Sequence, residues 1–436
     1  MDRKLEQQLR FLSSSYHYKP IRTIEELRDY LQNAVTLEFA TIPAYSTALY
    51  SMTDRSCNAF RLTASVAMEE MYHVYQAANL LVAVGGIPRF TGPFTPVYPT
   101  YIPNGDPKTT PYIGLRQATV SVYQEVFMGI ETPATFESPP ENQNIQTIGQ
   151  FYKAIQDGIE YLEAQAQQRG TTIFADAEGY AQYQDYYFGR GGGQIVEVRD
   201  LESAKRGIRQ IVQQGEGGER PGHPLVPLQP WGSYNHYGQR VDGQYGPIIG
   251  TPLEQSHYFK FKQVADGVAP LPDVYPIVAV PNLDDYQTNP RALALAERFN
   301  ALYSLMLRSL EHSFQKGEGF HRLFFEHVVP IMHQHLPNLA VHLMQTPIWK
   351  EGSGNIGPNA APTWQYDKRS LKEQLKGFET LTHAVEKDLR KGKKALLQRG
   401  ADTAASRDQA LLQTLQQVTA HVARIEETST RLGLHL

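Results

Sequence analysis

The sequence contains a single cysteine and no long apolar run. One cysteine, Cys57, among 436 residues excludes an internal disulfide, which favours a reducing compartment. No apolar stretch approaches the roughly 20 residues that a membrane-spanning helix needs. The first residues, MDRKLEQQLRFLSSSYHYKP, are polar and lack the apolar core of a signal peptide. We therefore expect a cytoplasmic protein with no membrane partner.

The sequence also lacks an excess of charge of one sign. The net charge is -4 and the two signs are mixed along the chain, whereas a nucleic-acid partner would need a concentrated basic surface. Hydrophobic residues make up 41% and charged residues 20%, a composition typical of a globular protein. These values predict a folded protein that does not bind nucleic acid.

Apolar residues recur every three or four positions in most of the chain, which is the spacing of helices that bury one face. The pattern predicts helices over 23–52, 58–84, 115–129 and 147–168, from 200 and from 251, several after 289, and a hairpin of 370–399 and 402–432. Pro43 lies inside the first helix and should kink it. The predicted domains are a bundle with long irregular loops (20–268), a further helical region (269–365) and a C-terminal helical hairpin (366–436).

Acids and histidines interrupt the apolar faces of several of these helices. Residues three apart on a helix point the same way, so a Glu-x-x-His step can offer two ligands to one metal ion. Two such steps with further glutamates form the ligand set of ferritin-like di-iron and di-manganese bundles. Carboxylates with imidazoles suit iron or manganese. The predicted metal ligands are Glu38, Glu70, His73, Glu216, Glu254 and His257.

Some of these assignments have alternatives. Helical phase places Glu70 inward and its neighbour Glu69 on a more polar, outward face. Either Glu160 or Glu163 could replace Glu216 as the ligand of its helix. A second group of histidines shares no single helical face, so packed or half-exposed side chains are the better interpretation there. This group is His321, His327, His333, His335 and His342.

The motifs also resemble a known family. The segments LQNAVTLEFATIPAYSTALYSM, VAMEEMYHVYQAANLLVAVGGIPRF, TIGQFYKAIQDGIEYL, IVQQGEGG and SHYFKF are similar to the ferritin-like domain named after iminophenyl-pyruvate dimer synthase, of violacein-type pathways. The resemblance covers roughly residues 20 to 365. It implies a ferritin-like four-helix bundle and an oxidative role in secondary metabolism. The namesake reaction couples two imine forms of an aromatic 2-oxo acid.

The ligand pattern and the resemblance together predict a metal-dependent oxidoreductase. We expect iron, as two ions, or manganese as cofactor, a small aromatic or amino-acid-derived metabolite as substrate, and dioxygen or peroxide as co-substrate. One alternative is a haem enzyme in which a histidine is the axial ligand. Another is a non-catalytic metal-binding or structural bundle. Assembly into a homo-oligomer is left open by the sequence.

Overall fold

The protein is mainly helical. The computed structural model describes residues 20–101, 111–132, 147–183, 195–215, 255–317, 319–350, 353–355, 357–396, 403–434 and 436. They form two compact units, which are the described residues within Met1–Arg89 and Pro96–Val274, and those within Phe90–Thr95 and Tyr275–Leu436. The predicted second and third domains therefore lie mostly in the second unit. Among the described residues, no helix is both long and apolar enough to cross a membrane.

Two long helices form the centre of the first unit. Helix α1 spans Ile24–Ser51 and helix α2 spans Asn58–Ala83, and the two pack closely along each other. Thr23 caps α1 in a capping box with Glu26, which satisfies backbone N–H groups that the first turn leaves free. The helix continues through Pro43. Nearly every residue of α2 is buried, including the polar residues Glu69, Glu70 and His73, so the helix is covered on all sides.

Shorter elements follow α2. Strands β1 (Thr100–Tyr101) and β2 (Tyr112–Ile113) pair antiparallel, with Thr100 opposite Ile113. A π-helical turn, Val122–Phe127, then leads directly into the short helix α3, Met128–Ile130. Such widened turns are rare in helices and are found mostly at functional sites.

Three more helices complete the first unit. They are α4 (Ile148–Gln168), α5 (Leu201–Gly215) and α6 (His257–Ala265). The Thr147 side chain caps α4, as its position before the apolar pattern predicts. Helix α4 packs on α1, α5 packs on α2 and α4, and α6 packs on α2 and the π-helical turn. Helices α4, α5 and α6 therefore each pack on α1 or α2, and the π-helical turn packs on α6.

The second unit is built from four further α-helices. They are α7 (Pro290–Ser313), α8 (Leu336–Met344), α9 (Leu371–Leu396) and α10 (Thr403–Leu432). Two π-helical turns, Phe324–Val328 and Ile331–His335, precede α8. Helices α9 and α10 pack together as the predicted C-terminal hairpin. Trp364 lies edge-on to two aromatic rings of α7 and fills the core of this unit.

Candidate metal centre

Helices α1 and α2 bring three of the predicted ligands together. Glu38 of α1 and Glu70 and His73 of α2 are each no more than 2% exposed. His73 Nδ1 lies 3.4 Å from Glu38 Oε2 and 3.5 Å from Glu70 Oε2. The step of three residues between Glu70 and His73 places both side chains on the face of α2 that meets α1. The sequence-predicted Glu-x-x-His pair is therefore present as a buried cluster with Glu38.

His257 joins this cluster from the start of α6. Ser256 has extended backbone angles and caps the helix, so His257 is its first residue. The His257 Nδ1 atom lies 2.9 Å from Glu70 Oε1. The rings of His257 and His73 stack with centroids 5.2 Å apart. Helix α6 thus places an imidazole on the opposite side of Glu70 from His73.

Glu131, which the sequence analysis missed, also belongs to the cluster. It follows α3 directly and is 1% exposed. Its Oε1 lies 3.5 Å from His257 Nδ1 and accepts a hydrogen bond from the Tyr45 hydroxyl at 2.7 Å. An added Cβ on Gly215, at the end of α5, would lie 3.3 Å from Glu131 Oε2. The close approach of α5 therefore leaves little room beside this carboxylate.

The predicted second Glu-x-x-His step is described only at its histidine, which is the first residue of helix α6. Glu254 itself and Glu216 lie outside the described residues, and their role as ligands stays a prediction. The two alternatives on α4 lie away from the cluster. Glu163 accepts hydrogen bonds from Thr172 and from the Ile173 backbone, and Glu160 pairs with Lys205.

The prediction that Glu69 faces outward is also wrong. Its side chain is 2% exposed and its Oε2 lies 3.0 Å from His257 Nε2. The same oxygen contacts the buried ammonium group of Lys260. Helix α2 is covered on all sides, so adjacent residues Glu69 and Glu70 are both inside, on opposite sides of the His257 ring. Glu70 meets the Nδ1 edge of that ring and Glu69 meets the Nε2 edge.

Hydrogen bonds from outside the cluster fix two more of its members. The Tyr152 hydroxyl of α4 donates to Glu38 Oε1 at 2.6 Å. His73 Nε2 lies 3.1 Å from Gln214 Oε1. A Gln oxygen can only accept, so His73 carries a proton on Nε2. With Nε2 held by Gln214, the ring turns its Nδ1 edge to the carboxylates of Glu38 and Glu70.

Burial and mutual attraction divide the acids of the cluster. Burial raises the pKa of Glu38 to about 7, against the opposing attraction of His73. Burial also raises the pKa of Glu131. Burial alone would raise the pKa of Glu70, but the attraction of the nearby imidazoles of His257 and His73 holds it below its usual range. Burial would lower the pKa of His73, yet the nearby carboxylates of Glu38 and Glu70 raise it to about 9. Glu38 and Glu131 therefore keep their protons to a higher pH than ordinary glutamates do.

The residues present fit a metal ion. One ligand atom from each of Glu70, His73 and His257 can be chosen so that all three lie within 4.8 Å of one another. Within the described part of the chain, Glu70 Oε2 and both ring nitrogens of His257 have no aligned hydrogen-bond partner, although carboxylate oxygens lie near the nitrogens. Buried polar atoms are normally hydrogen-bonded. Unsatisfied carboxylate and imidazole atoms that converge in this way are the donor set of iron and manganese.

The second histidine group is packed in the other unit. His327 lies 3.3 Å from the Ser309 hydroxyl, and the His335 ring lies 4.8 Å from that of His421. His342 Nε2 lies 3.0 Å from the Thr414 hydroxyl. Burial lowers the pKa of His327 and His335 to about 4, so both are neutral at neutral pH. These side chains are structural in the described part of the chain, as their spacing predicts.

The fold and the cluster together define the class of protein: a helical bundle with buried glutamates and histidines between its helices. A family model described as ferritin-like matches residues 31–266, more than half of the chain, and the chain belongs to this family. A crystal structure of a ferritin-like protein from Caulobacter vibrioides is similar, with a TM-score of 0.53 and 19% identity. The match covers 80% of this chain and 100% of that chain, and it shows the fold. No curated protein matches the sequence.

Proposed function

We propose that the protein is a metal-dependent oxidoreductase that acts on a small aromatic or amino-acid-derived metabolite. The observation that carries this proposal is the buried cluster between the helices of the first unit. Its members are Glu38, Glu70, His73, Glu131 and His257. A buried charge without a compensating partner is energetically unfavourable. A cluster with this many buried carboxylates therefore favours the binding of a cation.

Glu38, Glu70, His73, Glu131 and His257 would hold the metal. Glu70 Oε2 lies on the side of Glu38 and His73, and its Oε1 lies on the side of His257 and Glu131. Iron or manganese, when bound, supplies the one-electron redox chemistry that reaction with dioxygen or peroxide requires.

The chain's own residues would orient the ligands and exclude water. The Tyr45 and Tyr152 hydroxyls each donate to a carboxylate oxygen of the cluster and hold Glu131 and Glu38 in place. The rings of Phe127 and Phe261 pack against the Tyr45 ring, whose hydroxyl bonds Glu131.

The substrate class rests on the sequence resemblance to the iminophenyl-pyruvate dimer synthase type. That resemblance points to an aromatic 2-oxo acid or its imine, and thereby to secondary metabolism. The proposal includes a cytoplasmic location and a possible homo-oligomer only as expectations from the sequence. A haem alternative is less compatible with the cluster, because both buried imidazoles face carboxylates and not an apolar plane.

Elemental analysis of protein purified without chelators tests the proposal. We expect between about one and two equivalents of iron or manganese per chain, as for bundles that hold a metal pair. Consumption of dioxygen should then depend on that metal and on an added aromatic 2-oxo or imino acid. A protein that stays metal-free after reconstitution would refute the proposal. A strong Soret band would favour haem, and bound metal without oxygen consumption would favour a non-catalytic bundle.

A further inference from the structure

A buried lysine–glutamate pair lies directly behind one imidazole of the candidate centre. Lys260 and Glu69 have side chains that are 1% and 2% exposed. Lys260 follows His257 by one turn of α6, and both side chains reach the same atom, Glu69 Oε2. Fully buried ion pairs are often no more stabilising than apolar residues of the same size. The pair therefore calls for a reason other than stability.

The two edges of the His257 ring face different carboxylates. Nδ1 faces Glu70 at 2.9 Å and Glu131 at 3.5 Å, whereas Nε2 lies 3.0 Å from Glu69, the one carboxylate beside it among the described residues. Neither nitrogen has an aligned hydrogen bond in the described part of the chain, although Nε2 lies within hydrogen-bond distance of Glu69. Because Lys260 contacts Glu69, this carboxylate is compensated in place and is not free to turn toward the cluster.

The other imidazole already has an equivalent arrangement. His73 Nε2 donates to Gln214 Oε1, and its Nδ1 faces Glu38 and Glu70. Acceptors of this kind fix the ring orientation of metal-binding histidines and raise their basicity. Glu69 stands in the same position relative to His257 as Gln214 does relative to His73. One support is a neutral amide and the other is a carboxylate whose charge is compensated.

We propose that Glu69 and Lys260 are positioning residues for His257. Glu69 accepts a hydrogen bond from Nε2–H of His257, and Lys260 holds the Glu69 carboxylate in place. The Nδ1 atom of His257 is then available to bind the metal. This inference rests on the proposed metal site. It assigns a role to two residues of this chain that do not themselves bind the ion. It also explains why adjacent glutamates of α2, Glu69 and Glu70, are both buried.

Two paired double variants separate the acceptor from the charge. Glu69→Gln with Lys260→Met removes the ion pair but keeps an oxygen that can accept from His257, as Gln214 does for His73. Glu69→Leu with Lys260→Met removes the ion pair and the acceptor together. Both replacements are similar in volume to the original side chains, so both variants are expected to fold. A matched control, Glu160→Leu with Lys205→Met, removes a lysine–glutamate pair outside the cluster.

Binding is measured with Co²⁺ under anaerobic conditions, from the titration curve and the absorption bands of the bound ion. The leucine double variant should bind Co²⁺ about 10–100-fold more weakly than the glutamine double variant, with altered bands, because it lacks the support for His257. The glutamine double variant and the control should bind like the unchanged protein. If the leucine variant does not fold, Glu69→Met with Lys260→Met takes its place.

Equal affinities and spectra for the leucine and glutamine double variants would overturn this inference while leaving the metal site intact. Tighter binding by the leucine variant would overturn it as well. If the unchanged protein binds no Co²⁺, iron or manganese, the proposed function fails first and the inference fails with it.

Discussion

Replacing Glu38 by glutamine tests how much the buried cluster lowers the free energy of unfolding of the metal-free protein. Burial raises the pKa of Glu38 from 4.5 to about 7, so the folded protein keeps this proton over a range in which the unfolded chain has lost it. Stability therefore falls as the pH rises through this range, because the folded state binds more protons. At about 1.4 kcal/mol per pKa unit, the loss is about 3 kcal/mol once the pH reaches about 8.

Glutamine keeps the shape of the side chain and an acceptor for Tyr152, but it does not ionise. We expect the glutamine variant to be more stable than the unchanged metal-free protein by about 3 kcal/mol near pH 8, and about equal to it below about pH 4.5. Leucine at position 38 should gain less. It leaves the Tyr152 hydroxyl, which donates to Glu38 at 2.6 Å, without an acceptor, at a cost of about 1–3 kcal/mol.

The assay is urea unfolding of chelator-treated protein, followed by circular dichroism at both pH values. Glu163→Gln is the matched control, because Glu163 is a buried glutamate of the same unit that bonds Thr172 and lies outside the cluster. It should show no gain near pH 8. A Glu38→Gln variant that is less stable by the same amount at both pH values would refute the reasoning. The Glu38 carboxylate would then be a net stabilising partner of His73.

Three further outcomes follow from the structure. Glu131→Ala should lower the metal content as much as the loss of a sequence-predicted ligand does. Full metal content of this variant in elemental analysis would show that Glu131 is not part of the site. Gln214→Ala should weaken Mn²⁺ binding about tenfold or more, because His73 loses the acceptor for its Nε2 proton, and an unchanged dissociation constant in calorimetry would contradict this. His327 and His335 have pKa values of about 4 in the folded protein, so the unfolded chain takes up protons at these residues at higher pH than the folded protein does. The free energy of unfolding should therefore fall by about 3 kcal/mol for each residue as the pH falls from about 6.5 toward 4. Thermal unfolding across this range checks it, and a flat melting temperature would show that these side chains are solvated.

The sequence could predict those members of the cluster whose helices have clear boundaries. Thr23 and Thr147 mark the starts of α1 and α4, and the structure has both helices within a residue of the predicted ends. The burial of Glu38, Glu70 and His73 on facing sides could be predicted from helical phase, because α1 and α2 are long and regular. A regular helix fixes the direction of each side chain, and the packing of two such helices then brings their acids together.

The sequence could not predict the members that depend on breaks in helical regularity. Glu131 follows a π-helical turn and ends a short segment, where no periodic pattern extends far enough to show a face. The apolar pattern around His257 does not show that the helix begins there, capped by Ser256. Helical phase predicts that Glu69 faces outward only if one side of α2 is apolar and the other is exposed. The α2 segment has few charged residues, and this is the sequence signal that all of its sides are covered.

Without a bound cation, the charges that the described residues bring to the cluster balance only when at least one acid holds a proton, which agrees with the raised pKa of Glu38 and Glu131. Four carboxylates lie together with at most three positive groups, even when both imidazoles are protonated: Glu38, Glu69, Glu70, Glu131, His73, His257 and Lys260. A core that served only stability would be better filled by apolar side chains of the same volume, since a buried ion pair gains little over them. Neutral imidazoles, as metal binding requires, increase the deficit of positive charge further. The deficit is therefore largest in the protonation state that binds metal, and a bound divalent cation reduces it.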